Sequence, residues 1–310
     1  MNIRTIRSLC CAALLTSGTV IVAAGEPETP PEGVLRATLG ASYGNGSHSW
    51  NSPLPGPQSL TYFGLGAALE YGVTPWAAIC AEWLPGVFPY GETEDGKTGL
   101  FADPLLGIKL RFIGEKAPAS SEKTALSAAL ALKVSMPSGN GSALEPGSHL
   151  WGLGFRLYYG YRFHPLFLLN VSAELVYSPE QKSSNPAFDR QMVNHPLDAV
   201  FELEPRFSYP LPGGTALRFG LPLTGEFSPE STIYGAGLND LRYCFSIGPA
   251  FTAAFPFMKF PFEITVQYRP SLAGRNRPAL HEVRLLGKVD FRLRRGTRPA
   301  EVYVDPQTAP

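Results

Sequence analysis

Apolar and polar residues alternate with a period of two along almost the whole chain, and within the alternating segments the apolar parity carries no charge. In 150–163, Trp151, Leu153, Phe155, Leu157, Tyr159, Tyr161 and Phe163 share one face, and Gly152, Gly154, Arg156, Tyr158, Gly160 and Arg162 share the other. Strict alternation of this kind is the signature of a strand with two unlike faces. Twelve such segments are predicted, at 34–44, 60–73, 75–84, 100–113, 124–136, 150–163, 166–177, 199–211, 215–226, 241–255, 259–269 and 281–293. Parity does not say which face is outside, since a soluble sandwich would bury the apolar face and show the charged one.

Connection lengths decide between the two. Long connections (45–59, 85–99, 137–149, 178–198, 227–240, 270–280), with a medium one at 114–123, take turns with short ones at Gly72 to Pro75, His164-Pro165, Pro212 to Gly214 and Pro256 to Met258. An even strand count with this alternation is the pattern of an outer-membrane barrel, whose periplasmic turns are short and whose external loops are long. Greek-key sandwiches would break it. Aromatic residues near segment ends, among them Trp76, Trp83, Trp151, Phe163 and Tyr209, supply interfacial girdles. The fold expected is therefore all-β: a twelve-stranded antiparallel transmembrane barrel, apolar outside and charged inside. Its first and twelfth strands should pair, because an unpaired edge in lipid leaves backbone groups unsatisfied. A charge at outward Leu130 should then cost far more than one at inward Ala131.

The ends fit an exported chain. Arg4 and Arg7 precede an apolar stretch, Leu9 to Val22, that closes on Val22-Ala23-Ala24, so 1–24 reads as a signal peptide. Residues 25–33 read as a short periplasmic lead, too short for a globular plug, 34–293 as the barrel, and 294–310 as a polar periplasmic tail. The expected location is the bacterial outer membrane, with the lipid bilayer, small solutes and the barrel-assembly machinery as partners. Equal totals of basic and acidic residues, 26 each, are not the footprint of a nucleic-acid binder.

No catalytic constellation, metal-ligand spacing or cofactor motif stands out, and the chain is not expected to be an enzyme. The five histidines fall in loops, turns or at strand starts. Cys80 and Cys244 both face inward on strands across the barrel from each other, too far apart for a disulfide. The charged lumen carries the functional signal. Lys109, Arg111, Lys133, Arg156 and Arg162 lie on three consecutive strands, and Glu174, Glu202 and Glu204 on the next two, as candidate residues of a solute path. A basic arc beside an acidic arc sets a transverse field that selects among small polar solutes. The same charges also suit bracing of the wall: across the His164-Pro165 turn, Arg156 falls opposite Glu174. Inward glycines, including Gly107, Gly154, Gly160 and Gly220, leave room in the lumen. Pro104, Pro205, Pro222 and Pro249 each remove a ladder donor and mark a bulge or bend.

The runs Asp103-Pro104-Leu105-Leu106-Gly107-Ile108-Lys109-Leu110-Arg111-Phe112, Leu130 to Gly139, Gly152-Leu153-Gly154-Phe155 and Tyr159-Gly160-Tyr161-Arg162-Phe163 resemble motifs of the MetA-pathway phenol-degradation family. That family is similar to the FadL-type outer-membrane transporters of hydrophobic compounds. The resemblance covers about residues 100–163 and lacks the N-terminal hatch of the FadL type. It implies a channel or transporter for diffusion of small solutes, hydrophobic or aromatic ones. The alternative is a structural or surface-display barrel whose long loops, especially Ser178 to Asp198, bind an external partner.

Overall fold

The computed structural model describes residues 26–50, 60–90, 104–114, 117–118, 125–135, 151–182, 192–229, 232–233, 236–237, 241–257, 260–275 and 277–293. Residues 1–25, which include the segment expected to be a signal peptide, the tail from 294 and the middles of several long loops lie outside the described residues. Eight strands run in order around the wall: β1 (Val34–Trp50), β2 (Leu60–Thr74), β3 (Ala77–Tyr90), β4 (Leu105–Ile113), β5 (Leu126–Ser135), β6 (Gly152–His164), β7 (Phe167–Lys182) and β8 (Met192–Leu211). The ninth place is shared by β9 (Thr215–Gly220) and β10 (Leu223–Ser228), which both pair with β8. A two-rung ladder of β11 (Thr232–Ile233) and β12 (Ala236–Gly237) attaches to β8 in the loop that follows. The tenth place is shared by β13 (Arg242–Ile247) and β14 (Ala250–Phe257), and β15 (Phe260–Arg275) and β16 (Arg277–Arg292) complete the wall. The barrel closes where β16 pairs antiparallel with β1, from Val34 opposite Arg292 to Trp50 opposite Arg277. Closure leaves no strand edge in the wall, the condition a spanning sheet must meet in lipid.

The facing follows the alternation. Leu153 is 61% exposed and Leu285 51%, whereas Lys133 and Arg156 are 3% and 4% exposed. The apolar parity is thus the outer surface, and the charged parity is packed inside, the inverse of a soluble sandwich.

Prolines divide the two composite strands. The segments predicted as 215–226 and 241–255 are broken at Leu221-Pro222 and Gly248-Pro249, where proline has no N–H to give to the ladder. The wall stays joined, because proline carbonyls still accept across it: Leu221 N–H donates to Pro205 O (3.1 Å), Gly248 N–H to Pro222 O (3.3 Å) and Tyr268 N–H to Pro249 O (3.0 Å). Pro205, Pro222 and Pro249 therefore form a row across adjacent strands. Pro104 immediately precedes β4, which starts at Leu105, and the start expected at 100 lies outside the described residues. At the opposite end, the loop expected at 178–198 is shorter, since β7 continues to Lys182 and β8 begins at Met192. β16 also starts earlier than residue 281. His281 accordingly lies within a strand on the outer face, where its Nδ1 is 2.6 Å from the Tyr268 hydroxyl.

Candidate functional site: a charged and occluded lumen

The lumen is built from one parity of every wall strand, and its charges interlock. Lys133 on β5 places Nζ 2.8 Å from Glu82 Oε1 on β3 and 3.0 Å from Glu174 Oε1 on β7. Arg156 on β6 reaches the other oxygen of Glu174 at 3.4 Å and donates to Ser172 Oγ at 3.2 Å. The register sets Arg156 directly opposite Glu174, by way of a one-residue shift between Arg162 and His164 next to the short turn. Tyr158, 3% exposed, packs with Ala129 and Ala131 inside the barrel. Lys109 Nζ lies 4.6 Å, and Arg156 Cζ 5.0 Å, from its ring centroid, so two cations flank one aromatic face system. Nearer the long loops, Arg269 is held by Glu226 and by Ser246 Oγ (2.6 Å), and Arg284 by Glu282 (2.8 Å).

Basic and acidic side chains therefore alternate as partners through the upper lumen, and the separate arcs expected from the strand order are joined by these pairs. Of the eight predicted path residues, Lys133, Arg156 and Glu174 form one buried network. Glu204 binds Arg206 through both oxygens, at 3.2 and 2.6 Å. Glu202 is half-buried on β8 and accepts no hydrogen bond from a described side chain, although Arg156, Arg269 and Arg284 are near enough to act on its charge. Arg162 is half-buried at the short-turn end of β6, its N–H donating to Ala125 O at 2.8 Å.

Lys109 and Arg111 lead to a feature that the alternation does not encode. Residues 26–31, expected as a periplasmic lead, fold back into the short-turn end of the lumen. A turn starts the reversal: Val34 N–H donates to Pro31 O (3.0 Å), with Gly33 at φ 73° in the position that favours glycine. Gly33 N–H then donates to Gly72 O at 2.9 Å. Lys109 Nζ donates to Glu26 O (2.9 Å) and Glu28 O (3.0 Å) and pairs with Glu70 (3.2 Å). Arg111 Nη2 donates to Thr29 Oγ1 and Pro75 O, each at 3.2 Å. The Glu26 carboxylate divides its oxygens between Arg206 Nη1 (2.5 Å) and Lys288 Nζ (3.0 Å), and Lys288 also holds Glu263 at 2.6 Å. Pro27 and Pro30 are fully buried. Burial opposes charge on Glu26, but Lys288, Arg206 and Arg218 outweigh it and hold the carboxyl well below its usual range.

Inward glycines serve this packing. A Cβ at Gly72 would lie 2.1 Å from Pro31 O and 2.5 Å from Pro30 O. At Gly220 it would meet Glu204 Oε1 at 2.3 Å, at Gly154 Lys133 Cβ at 3.2 Å, and at Gly160 Pro27 Cγ at 3.1 Å. The expectation that Gly154, Gly160 and Gly220 leave open room is corrected: the space is taken by neighbouring side chains and by the lead. Ala131, 1% exposed, is likewise packed, so a larger residue there is costly in its own right. The signals in the sequence were the Pro-Glu-Gly turn at 31–33 and the two acids, Glu26 and Glu28, next to a basic group of inward residues.

No family model and no curated protein sequence matches this chain. Solved structures do. An outer membrane channel of the COG4313 group from Pseudomonas putida F1 superposes with a TM-score of 0.65 at 15% identity, covering 87% of this chain and 100% of that one. The NanC porin follows at a TM-score of 0.44 and 11% identity, over 83% of this chain and 100% of that one. A variant of the TodX monoaromatic hydrocarbon channel gives a TM-score of 0.38 at 9% identity, over 84% of this chain and 91% of that one. The first match shows the same barrel fold at low sequence identity.

Proposed function

We propose that the chain is an outer-membrane channel or transporter through which small solutes diffuse, with its termini and short turns in the periplasm. The observation that carries this reading is the barrel's pairing of an apolar outer face with a lumen lined by charged groups, a division that only a bilayer outside and a polar path inside make favourable. The COG4313 likeness supports it at the level of fold. The lumen-facing Lys109, Arg111, Lys133, Arg156, Arg162, Glu174, Glu202 and Glu204 are proposed to line the path. Glu202 is the best placed to meet a solute, because its carboxylate has no hydrogen-bonding partner among the described side chains. Hydrophobic or aromatic solutes are the class suggested by the sequence resemblance in 100–163. The packed lead means that conduction requires its displacement or a narrow passage beside it.

The test is single-channel recording of the refolded protein in a planar bilayer, with Glu202→Gln and Arg156→Gln to probe selectivity, and liposome uptake of aromatic, acidic and sugar solutes. Current steps whose selectivity shifts in both variants are expected. No current and no uptake, with or without residues 26–31, would end the reading. The alternative, a display barrel, draws on the extension of β7 and β8 to 16 and 20 residues at the long-loop end. Binding of an external partner without any flux would favour it.

A further inference from the structure

We infer, on the reading of this chain as a channel, that the socket seating the Glu26 carboxylate is a binding site for carboxylate solutes, and that such a solute releases the lead by taking Glu26's place. The site is built for a carboxylate. Oε1 and Oε2 of Glu26 are held separately by a guanidinium on β8 and an ammonium on β16, strands four places apart around the wall. Each contact is a charge-assisted hydrogen bond, the strong kind.

Charge balance at this level points the same way. The wall brings together Arg36, Lys109, Arg111, Arg206, Arg218 and Lys288 against Glu70, Glu204, Glu263 and Asp290. Among the described residues that make these contacts, six cations stand against four anions, and the acidic lead enters this surplus. The socket is self-occupied in the closed form. With the lead withdrawn, Arg206 and Lys288 each lose a carboxylate oxygen, keeping Glu204 and Glu263, and Lys109 loses two carbonyls. Each cation then has one anionic contact fewer in a region of surplus positive charge, so the lead-free state is stabilised by an anion in the same place. A neutral solute cannot supply that charge.

Asn170 adds an unspent recognition group. It is 3% exposed on β7, and neither its Oδ1 nor its Nδ2 has a hydrogen-bond partner. Its register partner is Glu204, the residue that orients Arg206, and the Cβ position of Gly160 lies 3.3 Å from Asn170 Oδ1 and 3.1 Å from Pro27 Cγ. A solute that displaces Pro27 and Glu26 therefore reaches an amide as well as two cations.

The test uses the full barrel with a spin label at Glu32→Cys, an exposed position of the lead, and with Cys80→Ser and Cys244→Ser removing the native buried thiols. Benzoate is added to the detergent-solubilised protein and compared with benzyl alcohol, its uncharged relative. Benzoate should raise the mobile fraction of the label several-fold, and benzyl alcohol should not. Glu26→Gln should give a mobile label from the start and no further response. In bilayers, benzoate should raise conductance of the unlabelled protein, and Glu26→Gln should favour chloride over potassium more strongly than the parent. Equal responses to benzoate and benzyl alcohol, a label indifferent to both, or an unchanged benzoate response in Glu26→Gln would overturn the inference. Label release without current would instead fault the channel reading and leave the carboxylate site standing.

Discussion

The carboxylate of Glu26 and the guanidinium of Arg206 meet at 2.5 Å although 180 residues separate them in the chain. That contact links the end of a short proline-rich segment to the far wall of the barrel and helps to fix the lead within the lumen. Its dependence on pH follows from the charges around it. Lys288 on β16, Arg206 on β8 and Arg218 on β9 hold the Glu26 carboxyl well below its usual range against the effect of burial, with Glu204 and Glu263 as the neighbouring acids. A group whose value is depressed in the docked state contributes its stabilisation above the undocked value, about 4.3 for a free glutamate, and loses it as pH falls through the docked value. The lead should therefore stay docked at pH 4 to 5 and loosen only in stronger acid. Measuring the mobility of a Glu32→Cys label from pH 7 to pH 2 checks this, and release that is complete by pH 5 would contradict it.

Gly72 offers a way to displace the lead without touching a charge. A methyl group there would overlap the carbonyl oxygens of Pro30 and Pro31, both backbone atoms that cannot rotate away. The Gly72→Ala barrel should insert normally, since β2 keeps its pairing with β1 and β3 on either side. Its conductance should rise toward that of a protein lacking 26–31. An Ala variant with parental conductance would show that the lead does not control passage.

The interior network is expected to be structural as well as functional. Lys133 is 1% exposed at its side chain and holds both Glu82 and Glu174. Lys133→Met leaves two carboxylates without their shared cation, and breaking a buried pair in this way costs about 3–5 kcal/mol. Denaturant unfolding in lipid vesicles should show that loss. A triple variant that also carries Glu82→Gln and Glu174→Gln should recover part of it.

The strand pattern was legible because a barrel wall has one apolar and one polar parity, and like faces pair across a short turn, so that Arg156 and Glu174 meet even though the register shifts by one between Arg162 and His164. Closure between Val34 and Arg292 was legible from the lipid's demand for paired backbone. The docking of Glu26 was not, because residues 26–31 have no periodicity and their partners lie on distant strands. Gly160 and Gly220 were read as small and hence roomy, whereas their function is close approach, and a sequence does not show what fills the place of a missing Cβ. Pro222 and Pro249 announced bends. Their division of one wall strand into two pairing segments depended on where their neighbours' carbonyls lay.

The outer face should be as intolerant of charge as the inner face is rich in it. Leu157 lies near the middle of β6, 43% exposed, with Leu130 and Ala173 beside it on the neighbouring strands. All three carry the apolar parity, so an arginine at Leu157 would enter hydrocarbon without an anionic neighbour on the same face. Leu157→Arg should destabilise the folded barrel by about 2–4 kcal/mol relative to the parent, the range for a basic residue at the bilayer midplane. Leu157→Ala, which removes apolar surface and adds no charge, should cost clearly less. Equilibrium folding into vesicles measures both, and equal effects for the two substitutions would mean that this face does not meet lipid.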